Sequence, residues 1–201
     1  MAGLTVAVTV GALGAGSVDA HIATDAHAVA ADHLTLLHLC RDLTWLGAPL
    51  VVDAIIVATA VALWSIGLRR AAVYLVVVRV AAQAISTLLK LAVGRRRPHF
   101  AHALSHASGA SFPSGHATGA ASTYLAIAIV VMAITSRTAV RAITNAAAVV
   151  TCLVVAATRV LLGVHWTSDV LAGLAVGAAV ACAAAMVIDP SRRRFPAAAG
   201  G

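Results

Sequence analysis

The sequence predicts an all-α, polytopic membrane fold, a bundle of about six transmembrane helices. Three observations carry that prediction. Of 201 residues, 61% are hydrophobic and 10% charged, with a mean hydropathy of +0.97, far above an ordinary soluble domain. The few charges fall between long uncharged runs, and a hydrocarbon core about 30 Å thick takes roughly 20 apolar residues per helix. These Ala-, Leu- and Val-rich runs lack the alternation of barrel strands, the other architecture that satisfies its backbone in lipid.

The elements follow in order. Residues 1–18, MAGLTVAVTVGALGAGSV, are apolar but carry no Lys or Arg after Met1, so a Gly-weakened first span is expected rather than a cleaved signal. Residues 19–45 are polar and hold DAH twice (Asp19 to His21, Asp25 to His27), then Asp32, His33 and His38. Their spacing matches no zinc pattern. The segment reads as an outward-facing interfacial stretch that continues into the amphipathic HLTLLHLCRDLTWLG, with leucines and Trp45 at headgroup level. Apolar runs at about 47–67, 71–93, 117–136, 142–162 and 166–188 supply the remaining spans. The whole chain, 1–201, reads as a single domain with its core at 47–188 and a cytoplasmic tail from 189 to 201.

Arg69 and Arg70, Arg137 and Arg141, and Arg192 to Arg194 all follow even-numbered spans, which the positive-inside rule places in the cytoplasm. By parity GRRRPHFAHALSHASGASFPSGH and GVHW face outward, and Arg95, Arg96 and Arg97 stand there against the rule. Fourteen basic residues against seven aspartates and no glutamate suit anionic headgroups or an anionic substrate better than nucleic acid, because the arginines cluster at span ends. Cys40, Cys152 and Cys182 form no even framework, so free thiols are expected.

Three segments on the outward side carry candidate chemistry. In KLAVGRRRP, Lys90, the only lysine, stands seven residues before Arg97; that is two helical turns, so both cations can share a face. Gly94 and Pro98 then end the helix and let Arg97 project, although a basic span end with snorkelling side chains has the same look. In SFPSGHATGA a turn at Pro113 to Gly115 opens a helix at His116, where unpaired amides and the positive dipole end make an anion site. Gly115 lets the backbone approach closely, and Ser114 is a hydroxyl donor or simply a cap.

In TRVLLGVHWTSD, Arg159 falls in the last turn of the fifth helix, and His165 and Asp169 stand at i and i+4 on the sixth. Alone, the pair reads as a helix-start ion pair. Paired as nucleophile and orienter, the carboxylate fixes the imidazole tautomer and leaves the other nitrogen free to attack. Together the segments describe a phosphate site: arginine forks and a lysine suit phosphate oxygens, and Lys90, Arg97, Arg159 and the amides near Ser114 and Gly115 neutralise a five-coordinate transition state. Two-metal phosphatases need several acidic ligands, and most of the seven aspartates lie outside these segments. Metal-free covalent catalysis is therefore favoured, with no cofactor expected.

These motifs resemble the signature of the type 2 phosphatidic acid phosphatase superfamily, membrane lipid phosphatases that share a helical core with vanadium haloperoxidases. Lys90 to Pro98, Pro113 to His116 and Thr158 to Asp169 match its three parts in spacing, with Thr158 in place of a serine. The resemblance implies that His165 attacks phosphorus and forms a phosphohistidine. It implies further that Asp169 orients His165 and that His116 protonates the leaving oxygen, then activates water. It also implies a lipid phosphate substrate: a polyprenyl (undecaprenyl-type) diphosphate is favoured over phosphatidic acid or phosphatidylglycerol phosphate. An anion transporter or channel is the alternative of another class, since Arg79, Lys90 and Arg159 put cations in or near the bilayer; the gathering of ionisable groups at one level favours hydrolysis. Deeper in the bundle, Asp53 at about 24 Å and Arg79 at about 14 Å from the inner helix ends are expected not to pair. Asp53 is expected to help position Lys90, and Trp166 to anchor at the interface.

Overall fold

The computed structural model describes residues 18–191. The expected first span, 1–18, falls outside the described residues except for Val18, as does the Arg192 to Arg194 cluster. Helices α1 (Val18–Asp32) and α2 (Leu34–Leu43) lead through a 3₁₀ turn (Thr44–Gly47) into α3 (Pro49–Ser65), followed by α4 (Arg69–Val93), α5 (Gly115–Ile134), α6 (Thr138–Leu161) and α7 (Thr167–Ile188). By length and apolarity α4, α5, α6 and α7 each suffice to cross a membrane, and Leu34–Gly47 with Pro49–Ser65, bent by 45°, makes a fifth candidate. The described residues thus carry four or five of the expected spans. The polar 19–45 segment forms two helices and the turn, with Trp45 exposed.

The core forms where α3, α4, α5 and α7 meet, around Ile56, Leu63, Tyr74, Leu75, Val78, Val130 and Ala181. Tyr74 is completely buried, and its hydroxyl donates to the Ala181 carbonyl at 3.0 Å, so the one polar atom of a large apolar side chain is satisfied. Leu88, Leu91, Val61, Ile143 and Leu153 point outward and are exposed, as side chains facing hydrocarbon should be. Helix α7 approaches α5 closely through Gly173 and Gly177. A Cβ at Gly177 would stand 2.7 Å from Ala121 Cβ, Ser122 N and Thr118 O, and one at Gly173 2.7 Å from Ser114 O. This is the small-xxx-small contact of membrane helices, where missing side chains let backbones approach. At the same level α5 widens into a π-helical turn over Ala121–Leu125.

Arg70 donates to the Asp189 carbonyl at 3.3 Å and to that of Ile188, closing the bundle at the end away from the predicted site.

The expected separation of Asp53 from Arg79 is overturned. Arg79 Nε lies 2.6 Å from Asp53 Oδ1, and Arg79 also donates to Gln83 at 3.1 Å. The expected depth difference assumed a helix running on to the basic turn, whereas α3 ends at Ser65. Asp53 is then about 18 Å from that end and Arg79 about 15 Å from the start of α4, an offset an arginine side chain spans. Asp53 therefore serves Arg79 and leaves Lys90 to other partners.

Candidate active site

Helix α4 stops where Gly94 adopts φ +60°, a left-handed conformation that favours glycine, and the Gly94 amide bonds back to the Lys90 carbonyl at 3.0 Å. Lys90 and Arg97 therefore do not share a helical face, as two turns of continuous helix would have required. They converge because the chain turns: Lys90 Nζ donates to the carbonyls of Ala110 (3.0 Å) and Pro113 (2.7 Å), and Arg97 Nη2 reaches the same Ala110 carbonyl at 3.3 Å.

Arg97 is held by backbone. Nε donates to Gly109 O at 3.0 Å, Nη2 to Ser108 O at 3.0 Å, and Nη1 to Val164 O at 2.8 Å. The remaining Nη1 direction meets His165 Nε2 at 3.0 Å. All five N–H groups of the fork thus have partners, and the one on His165 is positioned to pass to an incoming phosphate oxygen. Burial lowers the Arg97 pKa, against the opposing charge of Asp169.

His165 stands before α7, whose N-cap is Trp166, because Gly163 at φ +69° turns the chain immediately after α6. A Cβ at Gly163 would lie 2.6 Å from His27 Nδ1 and 2.9 Å from Phe100 Cδ2, so space as well as backbone requires glycine. The imidazole is 2% exposed. Its Nδ1 lies 3.5 Å from Asp169 Oδ2 and 3.3 Å from Ser111 Oγ. With Arg97 donating to Nε2, the proton belongs on Nδ1, facing Asp169, and the Nε2 lone pair faces the cations. Burial lowers the His165 pKa to about 4; the Asp169 hydrogen bond opposes the shift, and Arg97 adds to it. The ring is therefore neutral at physiological pH.

Asp169 is completely buried. Its Oδ2 accepts from the Trp166 amide at 3.0 Å and from Ser111 Oγ, and its Oδ1 accepts from Arg95 at 2.7 Å. The carboxylate therefore serves both as the capping box of α7 and as the partner of His165.

On the other wall Ser114 caps α5, its hydroxyl accepting from Ala117 N at 3.5 Å, and its own amide donates to Asp169 O at 2.9 Å. The amides of Gly115 and His116, which the helix itself cannot pair, belong to the same terminus. A Cβ at Gly115 would meet only Lys90 Cε, at 4.0 Å, so the glycine keeps open the space beside the ammonium. Arg159, 4% exposed, donates from Nη1 to Thr44 Oγ1 at 2.7 Å, while its buried Nε has no hydrogen-bond partner among the described residues. Arg159, Arg97 and Lys90 all bring positive charge close to His116. A cavity of about 400 Å³ is lined by His116 and Arg159 together with Arg41, Trp45 and His106.

The eight residues singled out in the sequence, Lys90, Arg97, Ser114, Gly115, His116, Arg159, His165 and Asp169, thus gather at one end of the bundle. Thr158, which stands at the serine position of the motif, bonds its own helix through Val155 O at 2.7 Å. Sequence reasoning missed Ser111, Arg95, Asp19 and Ser168. Ser111 and Arg95 lie inside motif stretches, but nothing in their spacing distinguishes them from neighbours. Of the His- and Asp-rich segment, Asp19 joins the site's surroundings and His27 stacks on Phe100 with ring centres 3.9 Å apart. Among the described residues no three His, Cys or Asp side chains group as metal ligands would.

Residues 71–193 match the PAP2 superfamily. The chain belongs to that superfamily. A crystal structure of a transmembrane PAP2 type phosphatidylglycerolphosphate phosphatase from Bacillus subtilis superposes with a TM-score of 0.80 at 27% identity, covering 95% of this chain and 94% of that one. The Aquifex aeolicus LpxE structure shares the fold, with a TM-score of 0.60 at 20% identity over 77% of this chain and 87% of that one. Among sequences, lipid A 1-phosphatase of Rhizobium johnstonii is 35% identical over 47% of this chain and 38% of its own length. Phosphatidylglycerophosphatase B of Bacillus subtilis is 38% identical over 46% of each chain. The chain spans less than half the length of these curated relatives. As a PAP2 superfamily member it is a multi-pass membrane protein, consistent with its four or five candidate spans.

Proposed function

We propose that this PAP2 superfamily protein is a membrane lipid phosphatase that removes a terminal phosphate through a phosphohistidine on His165, without a metal ion. The supporting observation is the polarity of the His165 ring: Nδ1 toward Ser111 and Asp169, Nε2 toward Arg97 at 3.0 Å. In the first step the Nε2 lone pair attacks phosphorus as the ester or anhydride P–O bond breaks, and His116 donates its proton to the departing oxygen. In the second, His116 takes a proton from water, whose oxygen attacks phosphorus as the P–N bond breaks, releasing inorganic phosphate and restoring His165. Lys90, Arg97, Arg159 and the amides of Gly115 and His116 stabilise the charge that develops on the phosphoryl oxygens.

The substrate is an anionic lipid whose tail remains in the bilayer while its phosphate enters the cavity beside His116. The sequence reading favours a polyprenyl diphosphate facing the outer leaflet. A phosphatidylglycerol phosphate is the second reading, supported by the name of the solved relative that covers 95% of this chain. Phosphate release in detergent is to be measured on undecaprenyl diphosphate, phosphatidylglycerol phosphate, phosphatidate and lipid A 1-phosphate. Activity that EDTA leaves intact, vanadate inhibits and His165→Ala abolishes is the expected result. Full activity in His165→Ala overturns the covalent route, and dependence on an added divalent ion overturns the metal-free one. Accessibility of a cysteine placed at Ser105, tested in sealed vesicles, decides whether the site faces outward.

A further inference from the structure

We infer that Asp19 and Arg95 are positioning residues for the nucleophile: Arg95, clamped between Asp19 and Asp169, fixes the carboxylate against which His165 is oriented. Helix α1, which lies outside the family-matched residues 71–193, is thereby part of the active site. The inference rests on the function proposed above.

The geometry is that of a clamp. Arg95 is 7% exposed, and its two terminal nitrogens serve different carboxylates, Nη1 with Asp169 Oδ1 at 2.7 Å and Nη2 with Asp19 Oδ2 at 2.9 Å. The guanidinium is planar and rigid, so turning it away from Asp169 also breaks its bond to Asp19. Asp19 is fixed in turn: its Oδ1 accepts from the Ser168 amide at 2.9 Å, and its Oδ2 accepts from Ser168 Oγ. Ser168 adjoins Asp169 in the first turn of α7, and Arg95 Nη1 also donates to Ser168 Oγ at 2.6 Å. One face of the guanidinium lies over the Trp166 ring, 5.4 Å from its centre, and Trp166 Nε1 donates to Arg96 O at 2.9 Å.

A mere tie between α1 and α7 could stop at Asp19 and Ser168. Here the cation continues to the one carboxylate that also faces the nucleophile. Two buried anions flank one buried cation: removing Arg95 leaves both carboxylates uncompensated, and removing the Asp19 charge leaves Arg95 to Asp169 alone. The charges that act on His165 are Arg97 from the α4–α5 loop, Asp169 from α7 and Arg159 from α6, and the titratable His116 of α5 stands near it. Arg95 and Asp19 stand one and two bonds beyond Asp169. Loss of the Asp19 charge therefore makes the surroundings of His165 more positive, and loss of the Arg95 charge makes them more negative.

The test compares Asp19→Asn and Arg95→Gln with the full-length wild type in detergent, on whichever lipid phosphate the wild type cleaves. The readouts are kcat, KM, Tm and the pH profile of kcat/KM. The substrate's own ionisation is common to all variants, so differences between profiles belong to the enzyme. Both variants are expected to lose about 10–100-fold in kcat, the range known for outer partners that orient a metal-ligating side chain, with KM within about twofold. The acid limb moves to lower pH in Asp19→Asn and to higher pH in Arg95→Gln. Wild-type kcat in either folded variant overturns the inference, as does a fall in kcat or Tm with the acid limb unmoved, which a purely structural tie would give. If Arg95→Gln does not fold, Asp19→Asn decides by the same two readings. A wild type that cleaves no lipid phosphate refutes the functional reading instead.

Discussion

Ser111→Ala removes one hydroxyl from a completely buried position. The backbone of Ser111 is held by its amide donating to Arg95 O at 2.8 Å, so the alanine takes the same place and only the side-chain bond is lost. That bond runs from Oγ to Asp169 Oδ2, while the same oxygen sits 3.3 Å from His165 Nδ1. Asp169 keeps Arg95 at 2.7 Å and the Trp166 amide at 3.0 Å, but faces His165 only across 3.5 Å. A hydrogen bond to a charged acceptor contributes about 1.5–3 kcal/mol. If the whole of it is needed to hold Asp169 while the imidazole turns cationic, kcat falls about 10- to 150-fold at roughly 1.4 kcal/mol per decade. Ser111 lies behind the ring, away from the Nε2 side, so KM should change little. Single-turnover labelling of the phosphohistidine with a radiolabelled lipid phosphate, together with Tm in detergent, measures the effect on the chemical step in folded protein. A kcat within about twofold of wild type would refute the reasoning, because Asp169 would then orient His165 without the hydroxyl.

Three further outcomes follow from the same geometry. With the His165 pKa lowered to about 4, the ring is largely neutral at pH 5.5, where an unperturbed histidine is mostly protonated. Nucleophilic competence is present above the lowered pKa and lost as pH falls through it, so phosphohistidine formation in rapid-quench experiments should persist at pH 5.5 and fail near pH 4; a midpoint near 6.5 would contradict the buried, Arg97-flanked ring. His116→Ala should cost about 10²–10⁴-fold on a lipid phosphate, whose alkoxide needs a proton, and much less on p-nitrophenyl phosphate; equal losses on both would remove His116 from the leaving-group side. Gly177→Val places its Cβ 2.7 Å from backbone atoms of Thr118 and Ser122, so α5 and α7 must separate at a cost of about 1–3 kcal/mol. A lowered Tm accompanied by lost activity is expected, and an unchanged Tm would show that the helices part freely.

The pairing of Arg79 with Asp53 shows where reading along the chain fails. Depth along a helix can be reckoned from residue rise, but the reckoning needs the helix end, and the end at Ser65 is decided by how the chain turns into α4. Lys90 and Arg97 show the opposite: the inference that they converge holds, yet through a turn at Gly94 rather than along a helical face. The ionisable motif residues Lys90, Arg97, His116, Arg159, His165 and Asp169 were legible because an apolar span does not otherwise tolerate their charge. The carbonyls that hold Arg97 were not, because a backbone oxygen leaves no mark in composition or spacing.

The sequence by itself determined an all-helical membrane chain and the residues that gather at its site, since span length, charge placement and motif spacing are properties of nearest neighbours along the chain. Only the tertiary structure decided which atoms face which: that Ser111 stands between His165 and Asp169, and that Asp19 reaches Asp169 through Arg95. Those contacts join residues 54 to 76 positions apart. At such separations the chain carries no periodic signal, and the requirement that every buried charge find a partner can be met only once helix packing has fixed which charges are buried together.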